Sequence, residues 1–356
     1  MDKTMVHRLG DYIREVDIRN HDLQCQKLLG LSIAKEFIPS IANIIGTDLR
    51  SYKVVKTDQF AYVPVTSRNG EKITVAHYCE QDNCIISQAY TVFEVIKKEE
   101  LLPDYLMLWF RRPEFDRYAR FKSHGSAREV FDWDEMCETM IPVPSIDDQR
   151  KIVKQYNFIR NRIEINKHTI SKLEDAVYAL YRKMFIEDID LENLPSGWRH
   201  GKLSEIASVS SGTTCKNKSD SPSQSYKYPV AGASGIIGYS SEYNRETRIL
   251  TTGRVGTLGR TSRYYSKTWC ADNVLVIESK FYEYLHQILN TLDFNVLIKY
   301  GVQSLITQTE LNDYPIIIPN NDALQLFEKR ASNIYEHIDS IIKENKLDLQ
   351  IMTELV

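Results

Sequence analysis

The sequence predicts an α+β protein in which two β-rich globular domains alternate with two long helices. Three observations predict this fold: a motif that occurs twice at a fixed offset, strand-like segments in each half, and an apolar helical stripe after each half. At 356 residues the chain is long enough for two hydrophobic cores. We expect domains at residues 1–144 and 191–319, and helices at residues 145–190 and 320–356.

The repeated motif indicates that the two halves follow one plan. FDWDEMCETMIPVP at residues 131–144 aligns with ITQTELNDYPIIIP at residues 306–319, a constant offset of 175. The starts also agree, because RLGDYI at residues 8–13 resembles KLSEIA at residues 202–207. A pseudo-twofold internal repeat is therefore expected.

Each motif is preceded by a helical stretch and, before that, by strands. The helical stretches are YLMLWFRRPEFDRYARF and YLHQILNTLDFNVLIKY, in which Tyr105 corresponds to Tyr284. Apolar and polar residues alternate as in strands in QFAYVPV, KITVAHY and AYTVFEVI of the first half and in TRILTTG and NVLVIES of the second. Each half is therefore predicted to be a β-rich domain with a helix before its exit.

The long helices carry the clearest periodic signal. Alternating steps of four and three residues form the seam of a coiled coil in the first helix, at Ile152, Tyr156, Ile159, Ile163, Asn166, Ile170, Leu173, Val177, Leu180 and Met184. The second helix repeats the pattern with one extra residue, at Phe327, Ala331, Ile334, Ile338, Ile341, Asn345, Leu349, Met352 and Val356. We expect the two seams to pair as an antiparallel coiled coil, with Asn166 and Asn345 as polar positions that set register. The alternative, that each helix packs only on its own domain, stays open because a stripe reports burial and not its partner.

Basic residues are concentrated in short segments of a slightly acidic chain. The formal net charge is −3 and the pI is near 6.3, so a polyanion would have to bind at local patches. Residues 243–267 contain six arginines and lysines against one acid, and residues 111–128 contain a similar excess. These charges either bind a ligand or merely solvate a surface.

The segment GRVGTLGRTSRYYSKTW, residues 253–269, matches no nucleotide-binding template. Its spacing is GxxGxxG, which is neither the dinucleotide fingerprint nor a Walker loop, and the residues that follow favour a strand over a helix. Glycines let backbone approach a ligand closely, and arginines bond phosphates or the guanine edge. This chemistry suits DNA.

Enzyme and metal signatures are missing from the sequence. The six cysteines form no CxxC pair, no methyltransferase [ND]PP[YF], HExxH or GxSxG motif occurs, and no nuclease core stands out. No histidine pairs with a cysteine or aspartate at a telling spacing, so His77 and His124 are expected to be structural or surface residues, and Cys79 and Cys84 ordinary thiols. We therefore expect no catalytic residue, metal or cofactor in this chain. Without a membrane-length apolar run or a signal-peptide core, a cytoplasmic protein is expected.

At this point the motifs resemble a known family. The junction IPVPSIDDQRKIV is similar to the proline-rich turn and helix start of the specificity subunit of type I restriction-modification systems. Residues 228–279, with YPVAGASGIIGY leading to GRVGTLG, resemble one form of its target recognition domain. LLGLSIAKEFIPS, SYKVVKTDQFAYVPV, IISQAYTVFEV and GSAREVFDWDEM in the first half resemble a second form.

The resemblance implies a function in DNA recognition without catalysis. Each domain would read one half of a split site in the major groove of double-stranded DNA, and the helix pair would set the spacer. Two methyltransferase subunits carrying S-adenosylmethionine would clamp around this chain, and a motor-nuclease subunit is a further partner that the family allows.

The candidate DNA-binding residues lie in three segments. In the second half they are Arg245, Arg254, Thr257, Arg260, Thr261, Ser262, Arg263, Tyr264 and Lys267. In the first half TSRNGEK (66–72) and KSHGSAR (122–128) supply Arg68, Asn69, Lys72, Lys122, Ser126 and Arg128. Two rival hypotheses remain: a two-domain enzyme that cleaves or modifies DNA with a cryptic active site, and a coiled-coil scaffold that binds only protein.

Overall fold

The computed structural model divides into two compact units. It describes residues 6–40, 46–67, 72–124, 129–299 and 304–355. Unit 1 comprises Met1–Ile165 and Asn345–Val356, and unit 2 comprises Asn166–Glu344. Each unit therefore contains one β-rich domain and a part of each long helix.

Unit 1 is built from short strands followed by helices. The strands are β1 (Val6–Arg8), β2 (Ile13–Val16), β3 (Leu29–Leu31), β4 (Phe37–Pro39), β5 (Lys53–Val55), β6 (Gln59–Tyr62), β7 (Val75–His77), β8 (Cys84–Ile86), β9 (Thr91–Val95) and β10 (Met140–Pro142). The helices are α1 (Pro103–Phe110), α2 (Pro113–Lys122), α3 (Trp133–Glu138) and the long α4 (Ile146–Phe185), which continues into unit 2.

An antiparallel sheet in the order β2-β9-β6-β7 forms the centre of unit 1. Phe60 of β6 lies opposite Phe93 of β9, their rings 5.0 Å apart, and Phe110 of α1 closes over both. The predicted helical stretch is broken into α1 and α2, because Pro113 has no N–H to continue a helix and favours its first position.

Unit 2 follows the same order of elements. Its strands are β11 (Arg199–Lys202), β12 (Ser208–Ser211), β13 (Tyr228–Gly232), β14 (Gly235–Ser240), β15 (Ile249–Gly253), β16 (Thr261–Tyr264), β17 (Trp269–Cys270), β18 (Val274–Glu278) and β19 (Pro315–Ile318). Its helices are α5 (Tyr282–Thr291), α6 (Gln308–Asn312) and the long α7 (Asn321–Leu355), which ends in unit 1.

Two sheets form the β part of unit 2. One is antiparallel in the order β12-β18-β15-β16, and the other, in the order β14-β13-β17, contains a parallel pair. Leu250 and Leu275 of the first sheet pack against Tyr282 and Leu285 of α5. The strands predicted in both halves are confirmed as β6, β7, β9, β15 and β18.

Equivalent hydrogen bonds occur in the two units. The Asp132 side chain caps α3 by accepting the N–H of Glu135, and the Thr307 hydroxyl caps α6 by accepting the N–H of Glu310, each residue 175 positions later. In each unit a backbone N–H near the start of the domain donates to a residue just before the exit strand or at its edge: Leu9 to Thr139 O (2.8 Å) and Leu203 to Tyr314 O (3.0 Å). In each unit a tyrosine hydroxyl also donates to the exit strand: Tyr105 to Pro142 O (3.3 Å) and Tyr284 to Ile317 O (2.7 Å). The exit strands pair with the first strands, β10 with β1 and β19 with β11.

Both long helices begin where their caps predict. The Ser145 hydroxyl accepts the N–H of Asp148, which lies with Asp147 in the first turn of α4. The Asn320 side chain accepts the N–H of Ala323 at the start of α7. Helix α4 ends at Phe185, five residues before the predicted 190.

In unit 2 the two helices and the domain share one core. Tyr181 and Phe185 of α4 contact Phe327 of α7, with ring centroids 6.1 and 5.3 Å apart. The predicted seam residues in this cluster are Ile170, Leu173, Val177, Leu180, Met184, Phe327, Ala331, Ile334 and Ile338, and Ile341 is also buried. Tyr284 of α5 and Ile316 of β19 complete the core, so the helices pack on each other and on the domain together.

In unit 1 an ion pair occupies the seam. Ile152 packs against the domain core, and Tyr156, Ile159 and Ile163 are buried. Asp348 of α7 is fully buried, and its Oδ2 accepts a hydrogen bond of 2.7 Å from Arg162 Nε while Oδ1 accepts a second from the same guanidinium. Asn166 and Asn345 are half-buried within their own units.

The predicted seam of α7 is wrong at Leu349, which is 55% exposed. Asp348 takes the seam position instead. The seam then runs from Ile341 through Asn345 and Asp348 to Met352 in regular alternating steps of four and three residues, without the extra residue that the sequence predicted. The prediction considered only apolar residues and therefore did not include Asp348, which can be buried because Arg162 pairs with it.

We expect the two halves of this ion pair to respond differently to substitution. Arg162→Ala should destabilise the chain by about 3 to 5 kcal/mol, because the buried Asp348 carboxylate loses its charged partner. Asp348→Leu should cost far less, because leucine suits a seam position and the Arg162 side chain, 37% exposed, can turn towards water. Chemical denaturation measures both free energies of unfolding, and equal losses would contradict the assignment.

Candidate nucleic-acid interface

The glycine- and arginine-rich segment of unit 2 is a hairpin loop. Strand β15 ends at Gly253, β16 begins at Thr261, and the two pair antiparallel with Thr252 opposite Thr261. Because β16 is an edge strand, the hairpin loop, residues 254–260, lies at the margin of the sheet. The prediction that a strand follows the loop is confirmed.

Three glycines are required by the shape of this loop. Gly256 and Gly259 have φ angles of +81° and +72°, which disfavour other residues. A Cβ on Gly253 would lie 1.8 Å from the carbonyl oxygen of Thr257, and one on Gly259 would lie 2.7 Å from the Phe294 side chain. The loop is therefore folded back tightly on its own strand and against the domain.

Backbone bonds and one apolar contact hold the hairpin loop in place. Arg254 donates its N–H to Asn273 O at 2.9 Å and accepts the N–H of Ile306 at 3.0 Å. Leu258 packs against the core, whereas Thr257 is exposed. The loop is thus anchored at both ends and presents its tip to solvent.

Arg254 and Arg260 are the cations that this loop presents. Arg254 is half-exposed, and its Nη1 lies 3.5 Å from the Ser211 hydroxyl. Arg260 is exposed, and neither arginine forms an ion pair with a carboxylate within the described ranges. Both guanidinium groups are therefore available to a ligand.

Arg263 points into unit 2. Its Nη2 lies 2.7 Å from Glu283 Oε2, its Nε donates to the Tyr265 hydroxyl at 2.7 Å, and the guanidinium lies 3.4 Å from the centre of the Tyr335 ring of α7. Burial, aided by the charge of Arg263, lowers the pKa of His286 to about 3, so the neutral ring accepts a bond of 2.9 Å from Nη1. Because its guanidinium is buried against Glu283, Tyr265 and His286, we no longer expect Arg263 to contact DNA.

The neighbours of Arg263 on β16 also face inwards. Tyr264 is buried, and burial raises the pKa of its hydroxyl to about 12. Thr261 and Ser262 are half-buried and line a polar cavity with Glu174, Tyr178 and Gln287. Thr261 and Ser262 thus face the helices of unit 2, whereas Tyr264 packs in the cluster that contains Ala231 and Cys270 of the second sheet.

Two further residues that were predicted to bind DNA, Arg245 and Lys267, already contact other side chains of unit 2. Arg245 is half-buried and donates to Ser210 Oγ at 2.9 Å and to Asn244 O at 2.7 Å. Lys267 lies 3.2 Å from Glu246 and above the Tyr243 ring. Arg245 thus has a structural role, whereas the exposed pair of Lys267 is weak enough for an anion to replace.

In unit 1 the ends of the two predicted DNA-binding segments lie side by side. The Thr66 and Ser123 hydroxyls are 3.0 Å apart, and Thr66 donates its N–H to Glu129 O at 2.9 Å. Lys72 is exposed, and Lys122, at the end of α2, pairs with Glu135 at 3.2 Å. Four predicted residues lie outside the described residues: Arg68, Asn69, Ser126 and Arg128.

Residues that flank the segments pair in an equivalent way in the two units. In unit 1 an isolated β-bridge joins the residue before TSRNGEK to Val130, and in unit 2 another joins a residue of the hairpin loop to Leu305, which is 175 positions after Val130. The bridges at these positions are Val65 with Val130, His124 with Val130, Val255 with Leu305, and Lys299 with Leu305. The sequence repeat could not reveal this match, because Val65 and Val255 differ by 190 positions.

One cluster in unit 1 was missed by the sequence reasoning. His77, Cys79 and Asp104 place a ring nitrogen, a thiol and a carboxylate within 4.8 Å of one another. The spacing from His77 to Cys79 is a signal that could have drawn attention, but Asp104 is 25 residues further along.

Among the described residues no helix is both long and apolar enough to span a membrane.

The comparisons with known proteins identify the family. The model of the type I restriction modification DNA specificity domain matches residues 43–175 and again residues 195–353. These two matches cover most of the chain, which therefore belongs to this family.

Two curated relatives agree with this assignment. The chain is 23% identical over 282 residues to the type I restriction enzyme MjaIX specificity subunit of Methanocaldococcus jannaschii, covering 68% of this chain and 65% of that one. It is 22% identical over 149 residues to the HindI specificity subunit of Haemophilus influenzae, covering 41% and 32%. The chain thus spans less than two thirds of the length of either relative.

Two solved structures share the fold. The type I restriction-modification S subunit from M. genitalium has a TM-score of 0.60 at 14% identity, with 99% of this chain and 94% of that chain covered. A chain from a structure on complex assembly and conformational transition of the type I R-M system has a TM-score of 0.51 at 14% identity, with 99% and 96% covered.

The glycines of the hairpin loop predict a graded loss of stability. Gly256→Ala should cost about 1 to 2 kcal/mol, because an alanine there meets only the left-handed backbone penalty and no neighbour within 4 Å. Gly259→Ala should cost more, because Phe294 must also move. Denaturation curves of both variants test this order, and a smaller cost for Gly259→Ala would contradict it.

Proposed function

We propose that this chain is the DNA-recognition subunit of a type I restriction-modification complex and is not itself catalytic. Each β-rich domain would read one half of a bipartite site in double-stranded DNA. The observation that carries this proposal is the equivalent pairing of Val255, in the hairpin loop, and of Val65, directly before the TSRNGEK segment, with Leu305 and Val130.

The chemistry of the hairpin loop supports a role in reading DNA. Among the residues that the structure describes, Arg254 and Arg260 pair with no carboxylate, and a guanidinium can bond a phosphate or the O6 and N7 atoms of guanine. The loop is fixed by backbone bonds and by glycines, so little ordering free energy is lost when it binds. In a chain of net charge −3, such local patches would supply the attraction to DNA.

The long helices are proposed to pair as an antiparallel coiled coil with pseudo-twofold symmetry and to dock the partner subunits. The hydrogen bonds that recur in both units support the duplication. Phe158 and Ile165 of α4 are each 66% exposed and one heptad apart, so they lie on one face of the helix. Two methyltransferase subunits, which would bring S-adenosylmethionine, are the proposed occupants of such surfaces, and a motor-nuclease subunit would join through them.

The contrast between Arg260 and Arg263 tests the DNA-binding assignment. Arg260→Ala should leave the free energy of unfolding unchanged, weaken binding to a DNA duplex, and flatten the dependence of log K on log salt by about one unit. Arg263→Ala should destabilise the chain, because Glu283 would lose its buried partner, and should leave the salt slope of the folded protein unchanged.

Fluorescence anisotropy over a salt series, with thermal denaturation in parallel, measures both effects. Unchanged affinity in Arg254→Ala and Arg260→Ala would refute the assignment of the loop. A wild-type chain without any salt slope would favour the protein scaffold, and cleavage or methylation of DNA by the purified chain alone would favour the enzyme.

A further inference from the structure

Three different metal-binding groups converge in unit 1 where β7 ends and α1 begins. His77 is the last residue of β7, Cys79 follows two positions later, and Asp104 lies in the first turn of α1. The Nδ1 atom of His77 is 3.4 Å from Cys79 Sγ and 3.4 Å from Asp104 Oδ1. The three ligand atoms lie within 4.8 Å of one another.

These separations are close to the edges of a zinc coordination tetrahedron. With Zn–N and Zn–O bonds of about 2.1 Å and a Zn–S bond of about 2.3 Å, the N-to-O edge is about 3.4 Å and the N-to-S edge about 3.6 Å. Only the distance between Cys79 Sγ and Asp104 has to shorten, and both side chains are exposed and free to turn.

A simple hydrogen bond between His77 and Asp104 explains the arrangement less well. A single ring nitrogen has one proton or one lone pair, yet Nδ1 faces a thiol and a carboxylate together. The distance to Asp104 also exceeds the range of about 2.7 to 3.2 Å for an N–H···O hydrogen bond. A cation between the three groups would satisfy all of them.

The packing of the His77 ring also holds Nδ1 in the direction of Cys79 and Asp104. The His77 ring is stacked on Phe60 with centroids 4.6 Å apart and has a side-chain exposure of 5%, so its direction is fixed. Its Nε2 is buried and without a hydrogen bond, and it lies 3.7 Å from Asp58 Oδ1, whose Oδ2 is held by Lys98 at 2.9 Å. At 3.7 Å this contact is too long for a hydrogen bond, so Asp58 would have to move towards Nε2 to act as the carboxylate that supports a ligating histidine.

We propose that unit 1 binds Zn²⁺ through His77 Nδ1, Cys79 Sγ and the Asp104 carboxylate, with water in the fourth position. A thiolate and an imidazole favour zinc over magnesium or calcium, and three protein ligands with one open position are common for this ion. The thiolate and the carboxylate neutralise the charge of the ion. The ion would join the edge strand β7 to α1, and so stabilise the domain that contains the TSRNGEK segment.

The test uses the full chain, stripped of metal with a chelator and then titrated with Zn²⁺ or Co²⁺. We expect one equivalent of zinc per chain by elemental analysis after dialysis, and a thiolate-to-cobalt charge-transfer band in the near ultraviolet. Cys79→Ser should abolish the band and the bound equivalent. Cys215→Ser, which removes a half-buried thiol of unit 2, should keep both.

Two further variants separate the ligands from their support. Asp104→Asn changes a side chain that is 59% exposed, so the fold should survive while zinc no longer raises the melting temperature. Asp58→Asn should weaken zinc binding about 10- to 100-fold and keep the cobalt band.

Three results would overturn the site. They are a wild-type chain that retains no more zinc than Cys79→Ser, a cobalt band that survives Cys79→Ser, and a zinc-dependent rise in melting temperature that is the same in wild type and Asp104→Asn. An Asp104→Asn chain that loses stability without any metal bound to the wild type would indicate a direct interaction between His77 and Asp104 instead.

Discussion

The structure depends on covering the apolar stripe of each long helix. A helix such as α4, with its buried side chains on one face, is not stable alone in water, so most of its stability must come from what it packs against. In unit 2 the stripe is covered by Phe327 and its neighbours on α7 together with α5 and β19. In unit 1 the same constraint is met by the domain core and by the buried pair of Arg162 with Asp348. The core of unit 2 therefore includes both long helices, whereas the core of unit 1 includes α4, which is bonded to α7 through the pair of Arg162 with Asp348.

Arginines with similar sequence surroundings have opposite roles. Arg263 is part of a buried network that joins β16 to α5 and α7, whereas Arg260, three residues earlier, is exposed on the hairpin loop. The boundary between them is the start of β16, where the chain leaves the loop and its side chains meet the helices. The proposed DNA-reading surface would thus be only a few residues from a structural core, and substitutions on either side should be distinguished by stability before they are interpreted as binding effects.

The fold was largely predictable from the sequence because its signals are local or periodic. The strands and the two long helices follow from the periodic spacing of apolar residues, and the offset of 175 follows from the repeated motif. Three other features were not predictable, because their signals are neither local nor periodic. Asp348 is buried only because Arg162 faces it, Arg263 is occupied only because Glu283 lies opposite, and His77, Cys79 and Asp104 meet only when β7 packs beside α1. Each depends on a partner distant in sequence, which a single chain without structure does not reveal.

The central claim is that each unit reads one half of the DNA site through the same position in its domain. The most direct measurement exchanges residues 1–144 for the corresponding domain of a relative, reconstitutes the complex with its methyltransferase subunits, and maps the methylated adenines on genomic DNA. The proposed function predicts that one half of the recognised sequence changes and the other half is retained. A sequence in which both halves change, or neither, in a folded and active complex would contradict it.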